Sequence, residues 1–250
     1  MLYSLMGGLR FVEDYPQGSP QIEKKGAIEK KPISIRRSIF LVLTNTQNSL
    51  AGLYTCLLNL PIVLLGELWG VMYLMQVHHL SKAQAASVTM MLFFGTIVGA
   101  PLMGWLSDTL SRRRLPMLMS ALISLLIILA LMFLPHLNLL SLLILFFLLG
   151  FFTSAQIISY PLIAESNPKP LTGTATGLAS ILIMGGGAVF QPLFGGLMDR
   201  HWDGTLEHGI ALYTPTNYLY GLAIMPIAFL IAFLAAYCLR ETYCQPFSED

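Results

Sequence analysis

Charge is what this sequence has least of. Asp, Glu, Lys and Arg make up only 11% of the residues, where an average soluble domain carries about 25%. The 14 basic and 13 acidic side chains nearly cancel, leaving a formal +1, so no global basic field argues for nucleic acid. Cysteine is scarce as well. Cys56, Cys238 and Cys244 form neither a Cys-x-x-Cys pair nor an even framework, which excludes a zinc ribbon and a disulfide scaffold. Cys56 and Cys238 lie in apolar runs, where a free thiol packs as a small hydrophobe. The chain has no GxxxxGK(S/T), no HExxH and no GxSxG. Nothing therefore argues for an enzyme or implies a cofactor or metal. Met1 to Leu9 is apolar but too short to span, and no small-residue cleavage site follows it.

What is present instead is apolar length. The chain is 55% hydrophobic with a mean hydropathy of +0.69, more apolar surface than a 250-residue soluble core could hide. A membrane-spanning helix needs about 20 apolar residues. Six runs qualify: Leu50–Leu74, Ala85–Leu106, Leu115–Leu134, Leu139–Tyr160, Gly173–Leu197 and Leu219–Leu239. Short connections join them, as expected for antiparallel neighbours, and Pro135 to Asn138 and Glu165 to Pro168 are clear breakers. The expected organisation is a six-helix bundle over 49–240, preceded by a basic linker over 13–48 and followed by a tail over 241–250. Within the linker, Ile33 to Leu43 reads as a short helix lying in the membrane interface.

The basic residues set the orientation. With the N-terminus inside, the inner segments hold Arg10, Lys24, Lys25, Lys30, Lys31, Arg36, Arg37, Arg112, Arg113, Arg114, Lys169 and Arg240. The outer loops hold only Lys82 and Arg200. Both termini are therefore expected in the cytoplasm, with the protein in the plasma membrane, or the inner membrane of a bacterium.

An internal repeat is visible. Pro101-Leu-Met-Gly-Trp-Leu-Ser-Asp108 and Pro192-Leu-Phe-Gly-Gly-Leu-Met-Asp199 share Pro, Leu, Gly, Leu and Asp at a constant offset of 91. That offset covers three helices, so the second copy emerges on the opposite face of the membrane. A chance echo between two glycine-rich helix ends is the plainer alternative.

The segment Gly104-Trp-Leu106-Ser107-Asp108-Thr-Leu-Ser-Arg112-Arg113-Arg114 resembles the loop motif of the major facilitator superfamily, G-x-L-(A/S)-D-(R/K)-x-G-R-(R/K). Thr109 replaces its first basic residue and Ser111 its second glycine. Leu68-Trp-Gly-Val-Met-Tyr73 is similar to a pattern of the family's seventh helix, with Met72 where Pro is common. Ala164-Glu-Ser-Asn-Pro168 with Gly173-Thr-Ala-Thr-Gly177, and Arg240-Glu-Thr, are similar to later connections and endings. Met1 to Gly18 resembles the end of a sixth helix running into the central loop, so residues 1–12 read as a remnant of a preceding membrane helix. The resemblance implies an all-α membrane protein. Its six helices would form a three-plus-three inverted repeat, the C-terminal half of the fold.

The implied activity is secondary active transport of a small polar solute by alternating access, as a symporter or antiporter. An N-terminal half or a second copy of the chain would be needed for it. A non-transporting membrane scaffold is the alternative. The expected partners are membrane lipid and the solute, with no nucleic acid.

The gating candidates are Gly104, Asp108, Arg112 and Arg113, with Asp199 and Arg200 in the second copy. A carboxylate facing arginines across a tight turn can latch helices in one state; alternatively the arginines are topology determinants only. On a helix of about 100° per residue, Asn59 falls in a small and polar stripe of the first span, while Gln156 and Tyr160 belong to one in the fourth and Gln191 to one in the fifth. These four are the substrate-binding candidates. For the amides, cavity lining competes with satisfied packing. For the glycines, including Gly95-x-x-x-Gly99 and Gly173-x-x-x-Gly177, close helix packing is the simpler expectation. Glu67 is the one carboxylate well inside an apolar run. It either carries a coupling proton or sits near the outer face and reaches water. The adjacent His78 and His79 read as a solvated outer turn.

Overall fold

A computed structural model describes residues 35–134, 137–207 and 210–247. The expected helix remnant at 1–12, most of the linker, His136, His208 and the last three tail residues lie outside the described residues. The described chain from Arg36 onward is one compact unit built from seven helical rods. These are α1 (Ile35–Thr44), α2 (Thr46–Val77), α3 (Lys82–Thr109), α4 (Arg114–Phe133), α5 (Leu139–Glu165), α6 (Lys169–Asp199) and α7 (Pro215–Cys238). All but α1 are long and apolar enough to cross a membrane. The connection after α6 carries a two-residue ladder between β1 (Leu206–Glu207) and β2 (Ile210–Ala211).

Three of the spans begin where capping side chains say they should, ahead of the apolar run. Asn45 accepts from the Gln47 N–H at the start of α2, and Ser81 with Gln84 forms a capping box at α3. Thr214 with Asn217 does the same at α7, so that span starts at Pro215, not at Leu219. Each box satisfies amide groups that neither lipid nor the helix itself could satisfy.

In the interior, α3 lies close against α5. A Cβ at Gly95 would strike the Phe147 carbonyl, one at Gly150 the Leu92 carbonyl, and one at Gly99 the Ser154 hydroxyl. Gly95-x-x-x-Gly99 is thus a packing seam, as expected. Gly173-x-x-x-Gly177 is not: a Cβ on either glycine would meet no described atom within 4 Å. The packing reading of this pair is corrected; α6 turns these glycines to open space. On the other side of α2, two buried tyrosines reach the backbone of α4. Tyr54 donates to the Met117 carbonyl (3.0 Å) and Tyr73 to the Leu131 carbonyl (3.2 Å). Both hydroxyls need such acceptors because hydrocarbon offers none.

The repeat read from the sequence has a structural counterpart. α3 and α6, 91 positions apart, each keep an interior proline about two turns before their ends, Pro101 and Pro192. Each proline removes one backbone hydrogen bond.

Candidate functional site

The first helices of the two repeats are both irregular, and at matching positions of the repeat. In α2, Pro61 has no N–H to give, and the chain passes from α-helix into π turns over Ile62–Trp69. Gly70 closes this segment. Its amide bonds the Leu65 carbonyl, and any Cβ there would collide with that oxygen, so only glycine fits. In α5, Ser154–Ile158 winds as a 3-10 helix. The offset of 91 carries Ile62–Trp69 onto residues 153–160, which contain that segment. Such stretches leave carbonyls out of the regular ladder and mark functional places in membrane helices.

The two irregular helices meet through an amide pair. Gln156 donates its side-chain N–H to the Asn59 Oδ1 at 3.0 Å, and the Thr55 hydroxyl reaches the Gln156 carbonyl at 3.4 Å. Tyr160, half-buried one turn further along α5, makes no side-chain hydrogen bond among the described residues.

Gln191 stands elsewhere. From α6 it donates to the Val63 carbonyl, which lies inside the π segment (3.2 Å), and to a Glu67 carboxylate oxygen (3.4 Å). Glu67 itself is exposed. So α2 presents Asn59 to α5 and Glu67 to α6, and of the four substrate-binding candidates only Asn59 and Gln156 touch. Two residues on from Glu67, the buried Trp69 indole N–H has no partner among the described residues. The Trp69 ring packs against Phe194 at 5.5 Å, and Gly195 leaves room for it, since a Cβ there would sit 3.2 Å from the indole.

Two cavities open beside the far end of α2. One of about 900 Å³ is lined by Met72, Gln76, Lys82, Asp203 and Tyr213, among others. The other, about 670 Å³, has Tyr73, His78, Leu131 and Leu219 in its wall. Neither includes Asn59, Gln156, Gln191 or Glu67. Of the mid-span polar groups, Asn59, Gln156 and Gln191 are half-buried and Glu67 is exposed. At the rim of the second cavity His78 is not simply solvated, contrary to expectation. Its Nε2 lies 3.2 Å from the Tyr73 hydroxyl and its ring meets that tyrosine edge-on. Burial, with His79 next to it, holds the His78 imidazole below its ordinary pKa. Among the described residues no three metal-ligating side chains converge.

The loop between α3 and α4 is an ion cluster. α3 ends in a Schellman turn: the Arg112 N–H reaches the Ser107 carbonyl and the Ser111 N–H the Asp108 carbonyl, with Ser111 at φ +50°. This is the position where the loop motif carries glycine, and the left-handed backbone explains that preference. The turn delivers Arg113 inward, where it is 6% exposed. It donates to Asp108 (2.6 Å), to Glu165 at the end of α5 (2.6 Å) and to the Ser107 hydroxyl (3.0 Å). Burial works against the charge, but the hydrogen bonds to Glu165 and Asp108 outweigh it and hold the guanidinium pKa above its ordinary value.

The tail completes the cluster. Glu241 accepts the Arg113 and Arg114 N–H groups at 2.7 and 3.0 Å, capping α4, and the Thr242 hydroxyl donates to Glu165 at 2.5 Å. Glu165 and Glu241 were not among the expected gating residues. The available signal was that both acids fall at helix ends on the face expected to carry Arg112 to Arg114. Arg112 is exposed, and its only hydrogen bonds among the described residues are through its backbone; its expected gating contact is absent. Gly104 faces open space.

The matching end of α6 is built differently. Asp199 does not pair with Arg200. It accepts from the Tyr213 hydroxyl at 2.7 Å instead. Arg200 is exposed and makes no side-chain hydrogen bond among the described residues. Partial burial and the Asp199 carboxylate push the Tyr213 phenol up to about 12.

A family model described as Major Facilitator Superfamily matches residues 10–244. No curated protein matches the chain.

Proposed function

The chain belongs to the Major Facilitator Superfamily, and from that premise we propose that it moves a small polar solute across the plasma membrane by alternating access, coupled to protons. It is a multi-pass membrane protein of a transporter family, and its six spans form the C-terminal half of that fold. Both termini lie in the cytoplasm in this reading, which the distribution of Lys and Arg supports.

The observation that carries the proposal is the Asn59–Gln156 amide pair, set between the π segment of α2 and the 3-10 segment of α5. Broken helices at the centre of a repeat are where transporters of this construction hold solute. Tyr160 and Gln191 extend the polar surface to either side. Glu67 takes the proton. It is the one carboxylate well inside an apolar run of the sequence, and Gln191 is placed to hydrogen-bond either its ionised or its protonated form.

The solute path is closed by an N-terminal half or by a second copy of the chain. The glycine-lined face of α6, with Met184 81% exposed, supports such a partner. The Arg113 cluster holds the cytoplasmic ends together in one state and releases them in the other.

The test is uptake by proteoliposomes, with a panel of labelled sugars, amino acids and carboxylates under an imposed pH gradient. The chain is reconstituted alone and as part of the assembly it forms in its native membrane. Saturable uptake by the chain alone would remove the need for a second half. In the transporting assembly, Asn59→Ala and Gln156→Ala should each weaken transport at least tenfold. Glu67→Gln should abolish its pH dependence, and an unchanged pH profile would sink the coupling role.

A further inference from the structure

Helix α1 is not a span, yet it exposes apolar side chains as a lipid-facing span does. Ile35 is 79% exposed, Phe40 66%, Leu43 52% and Ile39 42%, whereas Ser38 and Val42 are buried. At about 100° per residue, Ile35, Ile39 and Leu43 form one ridge with Phe40 beside it. Ser38 and Val42 form the neighbouring ridge that faces the protein.

The helix is firmly mounted. Asn48 donates to the Val42 carbonyl (3.1 Å), and Asn48 and Asn167 exchange side-chain hydrogen bonds at 2.6 and 3.0 Å. Asn45 adds bonds to the Asn167 Oδ1 and to the Ser166 carbonyl, both 3.3 Å. A single residue, Asn45, separates α1 from α2, so α1 is held at the level where a membrane span begins. The charge there has one sign. From Lys30 to Gly66 the sequence holds Lys30, Lys31, Arg36 and Arg37 and no Asp or Glu.

We infer that α1 docks on anionic lipid headgroups at the bilayer surface. Ile35, Ile39, Phe40 and Leu43 enter the acyl boundary, and Arg36 and Arg37 reach lipid phosphates. An amphipathic helix with cationic residues takes this position when the surface is negative, and the cytoplasmic leaflet supplies that surface. The occupant is lipid and not protein because the apolar ridge is continuous with a chain that enters the bilayer one residue later. Arginine stems are long enough to lie along the apolar ridge while the guanidinium stays among the headgroups. The inference rests on the membrane reading of the chain but not on transport.

The test uses the full chain, with Cys56, Cys238 and Cys244 replaced, in vesicles of phosphatidylcholine alone or with one quarter phosphatidylglycerol in both leaflets. Symmetric vesicles make the result independent of orientation. A nitroxide is placed at position 40 through Phe40→Cys, and a control nitroxide through Leu126→Cys at mid-α4, where Leu126 is 58% exposed. Collision with dissolved oxygen and with a water-soluble nickel chelate reports depth. The control should report immersion in every sample, which establishes that the bundle is folded and inserted. The label at position 40 should be immersed in anionic vesicles. Its water-exposed fraction should rise roughly fivefold for each of Arg36→Gln and Arg37→Gln, and by more than either in phosphatidylcholine alone, where both arginines lose their anionic partners. Equal depth in both lipids, or free access of the nickel chelate to position 40 in both, would overturn the inference.

Discussion

The two ends marked by the repeat, at Asp108 and at Asp199, start from the same sequence and finish as different devices. At the first, α3 closes in a Schellman turn that swings Arg113 into a buried cluster with Asp108 and Glu165, fastened from below by Glu241 and Thr242. At the second, α6 ends without a left-handed residue, and Asp199 finds a neutral partner in Tyr213. The lesson is that a repeated motif fixes where a carboxylate stands but not what it holds. The partner is set by the connection that follows. A short turn brings an arginine back to the helix end, whereas the long connection after α6 delivers a tyrosine.

Changes of four kinds would sharpen or break this contrast. The largest effect is expected from Arg113→Ala, which strands Glu165 in a pocket where it is 13% exposed. Removing one partner of a buried pair costs about 3–5 kcal/mol, read as a large drop in melting temperature in detergent. The double change Arg113→Met with Glu165→Leu should recover most of it. Next, Ser111→Gly relieves a left-handed backbone that costs roughly 1 kcal/mol for a non-glycine residue, so it should raise the melting temperature by a few degrees; no gain would mean that the turn is not strained.

The third change concerns pH. The Tyr213 phenol is held up to about 12 in the folded protein, above its ordinary value near 10. A raised folded pKa means that the stability it contributes is complete below about pH 10 and is lost as pH rises toward 12. Tyr213→Phe should therefore flatten the alkaline arm of stability against pH, while Arg113 variants should leave that arm unchanged. The smallest effects belong to Arg112→Gln and Arg200→Gln. Both side chains are exposed, and each substitution should change stability by less than about 0.5 kcal/mol.

Much of the fold was legible because lipid makes a strict solvent. The six spans follow from apolar length alone, and three of them start earlier than the hydropathy limits because Asn45, Ser81 and Thr214 cap them. The pairing of Asn59 with Gln156 was half legible. Each amide stood out in mid-span, but that they touch depends on the crossing of α2 and α5. The π and 3-10 segments were not legible, since they are displaced hydrogen bonds with no compositional mark beyond Pro61 and Gly70. The same limit hid Glu165 and Glu241, whose contacts with Arg113 bridge 52 and 128 positions. Short-range pattern reaches Asp108 and stops there. Gly173 and Gly177 show the converse error: their spacing matches a packing seam, yet only the path of α6 decides that no described neighbour fills it.

The Glu241 cap also orders the birth of the molecule. The first amides of α4 are answered by a carboxylate that the ribosome adds 127 and 128 residues later. Until then α4 can cross the bilayer, but its leading turn stays bare and Glu165 lacks the Thr242 hydroxyl. The bundle is thus fastened by a segment made after all six spans, and a chain that stopped short of residue 241 would insert those spans and still lack the bonds that tie α4 and α5 to the segment after α7.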